Sequence, residues 1–525
     1  MAHSVTADLP QATDTPENDT PSNTSPRPPG RMAMIIRNTL SVLGSDIANR
    51  ASSFALYALI ARFLGDFAFG QTQLALTFFY VGWSLAGLGI KWYLTRELSN
   101  KPEKTDSYLV NGSALVVITG LIILAGLVGV VTLSGYREDT AQAILIMGVT
   151  IIPYTLVMVA EGIFMGREKM QFVFYVNGPI NVLNIVASFI ALSLGASLLV
   201  IMVLQVIAYT LILVIEWSLM LRYVTRPKFK IDFGVMRSLF KGTRSFSGID
   251  ATIAVMALLQ PYIISLVATE SDVGFYGAAG QISSPIMLVM VSVINSLLPI
   301  LSRQVKEGYR ILKISAEKLI EITFGTTLPA VTGVILLAPQ ILLFLYERES
   351  FGAAAVYLRI MIPIMIIRAI IQVVGVMLYA SGNESVNLRI TMIMTVVSLI
   401  ANVIAITLFQ ALGAAVVSLL LNIADLALHY FYIWERMKIW VNPLPALWRP
   451  ALASAAMAVV ILLMPDDLHL LIQVAVGGAV YVVVFGILLL VTIGSPGKIR
   501  EYFLRRPADI AADEDAKLVP IAEGD

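Results

Sequence analysis

The sequence predicts an all-α polytopic membrane protein of about 14 transmembrane helices. They are expected to form two six-helix lobes related as a parallel repeat, then two C-terminal helices, with both termini cytoplasmic. Three observations carry this expectation. Hydrophobic residues fill 58% of the 525 positions and charged ones only 14%, against about a quarter charged in soluble domains. Apolar runs long enough to cross a bilayer, about 20 residues each, recur along the chain. The residues around those runs also occur twice.

The chain opens on MAHSVTADLPQATDTPENDTPSNTSPRPPG, a polar stretch rich in Pro, Ser and Thr. It lacks the apolar core of a signal peptide and has little that could pack, so residues 1–34 are expected to be a disordered cytoplasmic tail. Spans one to six are expected near 39–62, 70–91, 109–133, 141–164, 172–194 and 197–221, making residues 35–221 the first lobe. A basic linker, 222–245, follows. Spans seven to twelve, near 246–268, 274–300, 319–345, 353–380, 388–409 and 412–434, make residues 246–436 the second lobe. Spans thirteen and fourteen, near 447–465 and 469–493, occupy 437–495, and a cytoplasmic tail, acidic over 507–525, fills 496–525. The runs are continuous rather than alternating, which excludes a β-barrel.

The loops set the orientation. Those after even-numbered spans hold the cations, for example Lys91, Arg96, Lys101 and Lys104 after span two, and Arg303, Lys306, Arg310 and Lys313 after span eight. Loops after odd-numbered spans, such as SLGAS, ATESDVG, QALGA and MPDDLH, are nearly free of Lys and Arg. By the positive-inside rule the even loops and both termini face the cytoplasm. The expected location is the inner (cytoplasmic) cell membrane.

The repeat is read from spaced matches. Asp46 near the start of span one pairs with Asp250 near the start of span seven, and Gly70 before span two pairs with Gly274 before span eight, at the same separation. Further along, 152-IP-153 matches 362-IP-363, 165-MGREKM-170 matches 381-SGNESV-386, and Leu194, Gly195 and Ala196 match Leu412, Gly413 and Ala414. Both copies start on the inside, so the repeats are parallel, about an axis along the membrane normal. The linker interleaves Phe229, Ile231, Phe233, Met236, Leu239 and Phe240 with its cations. That pattern suggests an amphipathic helix on the inner leaflet, although a basic connector obeying the topology rule explains the charge equally.

Several function classes are excluded or disfavoured. A net charge of +1 gives no basic field for nucleic acid. Cysteine is absent, so there are no disulfides or thiolate metal sites. His3, His429 and His469 have no metal-ligand spacing, and no Walker loop or HExxH is present. No catalytic residue, metal or cofactor is expected, and the outer loops are too short for a catalytic domain. A proton or sodium remains open as a coupling ion.

Charges inside the spans point to a chamber, because one at mid-membrane costs roughly 2.5–3.5 kcal/mol on insertion scales. Asp46 and Arg50 are four apart and share a face of helix one. They either line a cavity or form a structural pair. Arg368, near the middle of span ten with Gln372, has few aqueous exits and is expected to line a cavity. Asp250 and Gln260 lie in span seven, Asp250 close enough to the helix start to be a cap instead. Asn177, Asn181 and Asn184 fall on adjacent turns of span five, where interhelical hydrogen bonding is the alternative. Asn422, Asp425 and His429 lie in span twelve. Glu161 and Glu216, near inner helix ends, are expected to reach water. Pro261, Pro285, Pro329 and Pro363 are candidate bending points.

With these spans and this repeat, the chain resembles the polysaccharide flippases of the MOP (multidrug/oligosaccharidyl-lipid/polysaccharide) exporter superfamily over about residues 35–495. The similarity is carried by 64-LGDFAFGQTQLA-75, 270-ESDVGFYGAAGQI-282, 87-GLGIKWYLTREL-98 and 233-FGVMRSLFKGTRSFSGI-249. The resemblance implies alternating-access transport of polyprenyl-(pyro)phosphate-linked oligosaccharide from the inner to the outer leaflet. Partners would be that lipid and the bilayer, with glycan-assembly enzymes as further candidates, and a monomer would suffice. The related lipid II flippases carry an adjacent Arg–Asp pair in helix one. Here Asp46 and Arg50 are separated and in the opposite order, so those roles are not transferred and lipid II is disfavoured as cargo. Guanidinium suits bidentate phosphate recognition, so Arg50 and Arg368 are the candidate phosphate contacts. Asp46 would orient Arg50, Gln260, Gln372, Asn177 and Asn181 would meet sugar hydroxyls, and Asp250 would line the cavity. A cation-coupled multidrug antiporter of the same superfamily is the alternative. A membrane glycosyltransferase or polymerase, or a non-transporting scaffold, is disfavoured.

Overall fold

The computed structural model describes the backbone of residues 31–286, 305, 308–465 and 468–504, and the side chains from residue 51 onward at nearly all of these. Residues 1–30 and 505–525 of the expected tails, residues 287–300 of the eighth expected span and residues 301–304 after it lie outside the described residues. All regular structure described is helical. In order the α-helices are α1 (Arg31–Gly87), α2 (Ile90–Asn100), α3 (Thr105–Leu133), α4 (Glu138–Val149), α5 (Ile151–Gly166), α6 (Gln171–Ser193), α7 (Leu198–Tyr223) and α8 (Phe233–Val267). They continue as α9 (270–286), α10 (Tyr309–Tyr346), α11 (Ala354–Met361), α12 (Ile364–Ala380), α13 (Glu384–Met437), α14 (Leu444–Leu463), α15 (Leu470–Ile493) and α16 (Pro496–Leu504).

Among the described residues, 11 helical segments are long and apolar enough to cross a membrane. Two of them hold two expected spans each. Ala51–Asn100 is broken at Gly65 and Ser385–Met437 at Gln410. Gly65 sits at φ 87, ψ −175, a conformation that costs a glycine little. Gln410 adopts φ 54, and the tight reversal closes over Gly413, where a Cβ would lie 2.1 Å from the Ala405 carbonyl oxygen. With α9 as the eighth, the arrangement has the expected size of about fourteen spans. Two spans are interrupted at their Ile-Pro pairs. Span four breaks between α4 and α5, and span ten between α11 and α12, where Pro363 supplies no N–H and its ring opposes helix continuation.

The linker differs from the expected separate helix. Residues 224–232 are not helical, and Asp232 Oδ1 caps α8 by accepting from Gly234 N at 2.7 Å and Val235 N at 3.3 Å. The helix then runs unbroken into span seven. Phe229, Ile231 and Phe233 stay exposed, whereas Met236 and Leu239 bury among α2, α3 and α5. Asn111 fixes the connection, its Oδ1 accepting from Asp232 N at 2.7 Å. Outward-facing Ile122, Val182, Phe189, Val214, Leu408, Leu462 and Val482 form an apolar surface that suits lipid rather than water.

At the C-terminal end, Glu321 of α10 joins α14 and α16. Its Oε1 accepts from Arg449 Nη1 at 2.6 Å and its Oε2 from the Tyr502 hydroxyl at 2.9 Å. Both partners of the ion pair are largely buried, at 14% and 7% exposed. Removing one partner of such a pair costs about 3–5 kcal/mol, because the other is left uncompensated. Glu321→Ala is therefore expected to lower the thermal midpoint of the detergent-solubilised chain. The double variant with Arg449→Met should recover most of the loss, as read by light scattering or tryptophan fluorescence.

Candidate functional site

The break in span ten shapes the site. Arg368 stands on the second turn of α12, just after Pro363, and projects half-buried into two adjoining cavities of about 450 and 440 Å³. Ile364 and Met365 of the first turn line the first of them. The N-terminal end of a helix is electropositive, so α12 and the guanidinium bias the same space toward anions.

Facing Arg368 is one stripe of α13. Ser418, Asn422, Asp425 and His429 follow at helical spacing and line the cavities. Arg368 Nε donates to Asn422 Oδ1 at 3.1 Å, and Asp425 is the nearby negative charge. His429 Nδ1 lies 3.1 Å from Asp425 Oδ1. A second stripe, earlier in α13, presents Thr391, Thr395, Ser398 and Asn402. Gln260 of α8 joins the two. Its Nε2 donates to Asn402 Oδ1 at 2.8 Å and to Ser418 Oγ at 2.7 Å, while its Oε1 accepts from the Tyr276 hydroxyl at 2.6 Å. The chamber thus offers a cation, a carboxylate and a wall of amides and hydroxyls. Among the described residues no group of three or more His, Asp or Glu could hold a metal ion.

Of the sequence-derived candidates, the structure brings Arg368, Gln260 and Gln372 together here. Asn181 lines a small separate cavity with Ser53 and Tyr57 of α1. Asn177 is buried and donates to Glu161 Oε1 at 3.2 Å. Asp250 borders another hollow with Trp92, Arg96 and Phe246, and its carbonyl accepts from Ser84 Oγ at 3.1 Å. The side chains of Asp46 and Arg50 lie outside the described residues. Sequence reasoning noted Asn422, Asp425 and His429 without assigning them to the site, and it missed Tyr276, Ser398, Asn402 and Ser418. The polar spacing of four, three and four residues along α13 was the available signal.

The expectation that Glu161 and Glu216 reach water fails at Glu216 and holds only in part at Glu161. Glu161 is held at 2.6 Å by Lys91 Nζ with its side chain 13% exposed, and Glu216 is 0% exposed.

Beside the chamber, one end of the molecule is latched. The chain around the Gly65 break is gripped by the end of α10 and the residues after it. Arg62 pairs with Glu347 at 3.0 Å and donates to the Leu345 carbonyl at 2.7 Å. Arg348 returns bonds to the carbonyls of Arg62 and Phe63, both at 2.9 Å, and Ser350 donates to Asp66 at 2.8 Å. Next to this latch α1 and α9 cross at Gly70 and Gly274, the two glycines matched in the repeat. A Cβ on Gly70 would lie 1.7 Å from the Glu270 carbonyl oxygen, and one on Gly274 2.6 Å from that of Asp66. Asp66 and Glu270 are themselves equivalent positions, four residues before each glycine. The contact is therefore nearly its own mirror under the repeat.

Comparison with known proteins agrees with this architecture. A family model described as "Polysaccharide biosynthesis protein" matches residues 35–305, just over half of the chain. One described as "Lipid II flippase MurJ" matches residues 278–491. A curated relative, the probable low-salt glycan biosynthesis flippase Agl15 of Haloferax volcanii, is 25% identical over 218 residues. That match covers 40% of this chain and 46% of the relative, so the chain spans about half the length of the curated protein it matches. Among solved structures, the lipid II flippase MurJ in an inward closed conformation superposes with a TM-score of 0.71 at 16% identity, covering 86% of this chain and 99% of that one. An inward-facing multidrug resistance MATE family transporter of the MOP superfamily gives 0.60 at 15% identity, covering 77% and 98%. At such identities the structures show a shared fold, while the family match rests on sequence: the chain belongs to the polysaccharide biosynthesis protein family and has the fold of MOP superfamily exporters.

Proposed function

We propose that the protein is a flippase for polyprenyl-(pyro)phosphate-linked oligosaccharide, moving it from the inner to the outer leaflet by alternating access. The observation that carries this reading is Arg368, placed after a broken span in a chamber whose other polar lining is Asn, Gln, Ser, Thr, Tyr, His429 and Asp425, set among Met, Ile and Leu side chains. A lipid-linked saccharide presents a phosphate, many hydroxyls and an apolar tail. The guanidinium and the end of α12 suit the phosphate, the amide wall suits the sugar, and the tail can remain in lipid. The family match and the curated glycan biosynthesis flippase point the same way.

In this reading residues 35–221 and 246–436 are the two lobes, 222–245 the linker between them, and 437–495 an addition, with termini in the cytoplasm of an inner-membrane protein. Rocking about the near-symmetric Gly70–Gly274 contact would open one end as the other closes. The latch at Arg62, Glu347 and Arg348 then holds the outer end shut. The carbohydrate carrier is a transported partner, so no bond is made or broken. Asn177 and Asn181, Asp250 and the Asp46–Arg50 pair remain proposed contributors from the first lobe and from span seven.

The test is leaflet accessibility in proteoliposomes. A fluorescent polyprenyl-pyrophosphate saccharide should equilibrate between leaflets only when the protein is present, as read with an impermeant quencher. The same vesicles should show no pH- or sodium-driven efflux of cationic dyes. Dye efflux without lipid movement would favour the multidrug antiporter instead.

A further inference from the structure

Among the described residues, one buried carboxylate outside the chamber and the latch has neither oxygen hydrogen-bonded. Glu216 of α7 is 0% exposed, and neither carboxyl oxygen has a hydrogen-bond partner. An isolated buried carboxylate carries a penalty of several kcal/mol. The donors nearby serve its neighbour. Lys91 of α2 reaches Glu161 Oε2 at 2.6 Å, and Asn177 of α6 donates to Glu161 Oε1 at 3.2 Å. The groups that act electrostatically on Glu216 are Glu161, Lys91 and the Tyr154 hydroxyl of α5. Of the other helices packed on α7, α6 carries no charged residue, and Glu138 and Asp139 of α4 sit at that helix's first turn. The side chains of Asp46 and Arg50 in α1 are outside the described set.

We propose that Glu216 is a proton-binding site, occupied in this conformation, with Lys91–Glu161 as the ion pair that governs its release. With all three groups ionised, Lys91 would balance one of the two carboxylates, and the charge left over would fall on Glu216, the one member fully sealed from solvent; one proton removes it. A metal cation fits less well, since hard cations take about six or more oxygen ligands and, among the described residues, no third acidic side chain joins Glu161 and Glu216.

The backbone supplies a means of release. Lys91 lies in the first turn of α2, two residues after Gly89, and Leu88 and Gly89 have φ 52 and 65. Such a pair of left-handed residues separates α1 from α2 as a joint. Gly89 is wedged against α8, where a Cβ would lie 2.5 Å from Phe246 Cβ. A shift of α8 therefore moves the segment that carries Lys91. Displacing the ammonium from Glu161 toward Glu216 favours the ionised form of Glu216, and the proton leaves. The proposal adds a site remote from the chamber and does not depend on the identity of the cargo.

Infrared difference spectroscopy on the full chain in lipid nanodiscs tests this without a transport readout. A protonated-carboxyl carbonyl band should be present at neutral pH, disappear in alkaline buffer and be absent from Glu216→Gln. In Glu216→Asp the band should persist at a shifted frequency, which keeps the test open if the Gln variant does not fold. The proposal is overturned if no pH-sensitive band is found, or if the band is identical in wild type and Glu216→Asp. Loss of the band on adding sodium at constant pH would equally overturn it, by making the site one for sodium.

Discussion

Gly70→Ala is expected to leave the chain folded and inserted while cutting transport roughly 5- to 150-fold. The added Cβ falls 1.7 Å from the Glu270 carbonyl oxygen, a backbone atom that cannot rotate away. Forcing a methyl into a packed contact costs typically about 1–3 kcal/mol, and here the cost applies only when the two halves are closed at this end. The population moves toward the outward-open form. Because the chain has no cysteine, a single reporter such as Ala61→Cys, fully buried beside the latch, can be read with an impermeant maleimide. Labelling should quicken in Gly70→Ala. Gly274→Ala should behave alike, since its Cβ meets the Asp66 carbonyl oxygen at 2.6 Å. Gly126→Ala, with nothing within 4 Å, should change neither readout. Unaltered labelling and transport in both crossing variants would remove this contact from the mechanism.

That the two glycines could be named before any coordinates existed shows what a sequence of this kind exposes. Lipid tolerates few polar side chains, so spans, their flanking cations and any duplicated spacing stand out against an apolar background. The Ile-Pro matches at 152–153 and 362–363 were visible for the same reason, and both fall where a span is interrupted. What stayed hidden was pairing. Asn177 is a polar residue in a span whichever way it faces, and only coordinates show that it serves Glu161 rather than the chamber. Glu161 and Glu216 lie near helix ends in sequence, where a carboxylate normally finds water, but neighbouring helices cover Glu216 completely and Glu161 in large part. The α13 stripes were blurred by Ser and Thr, which satisfy themselves on their own helix and carry little polarity in composition. Thr391, for example, donates to the Asn387 carbonyl at 2.9 Å. The linker stayed open between an amphipathic helix and a basic connector because its charge pattern is the same whether its helix ends at the membrane or continues through it.

Arg368→Ala is the second substitution expected to have a large effect, and the chemistry of its surroundings defines the controls. The wild-type guanidinium donates to Asn422 and lies near Asp425, so deleting it removes a phosphate donor and also leaves a carboxylate short of its cation. Each hydrogen bond to a charged group is worth about 1.5–3 kcal/mol, and the unpaired partner adds to the loss. Transport should fall by at least about tenfold on that scale. Arg368→Lys keeps the charge but loses the planar fork that grips two phosphate oxygens, and should lie between wild type and Ala. Pairing Arg368→Ala with Asp425→Asn separates the two causes. If the defect is only an orphaned carboxylate, the double variant regains both thermal midpoint and transport. If Arg368 binds the phosphate, the midpoint recovers but transport does not, and inorganic pyrophosphate ceases to stabilise the protein in a thermal-shift titration. Full transport by Arg368→Ala at normal expression would place the cargo's phosphate elsewhere and leave the chamber without its role.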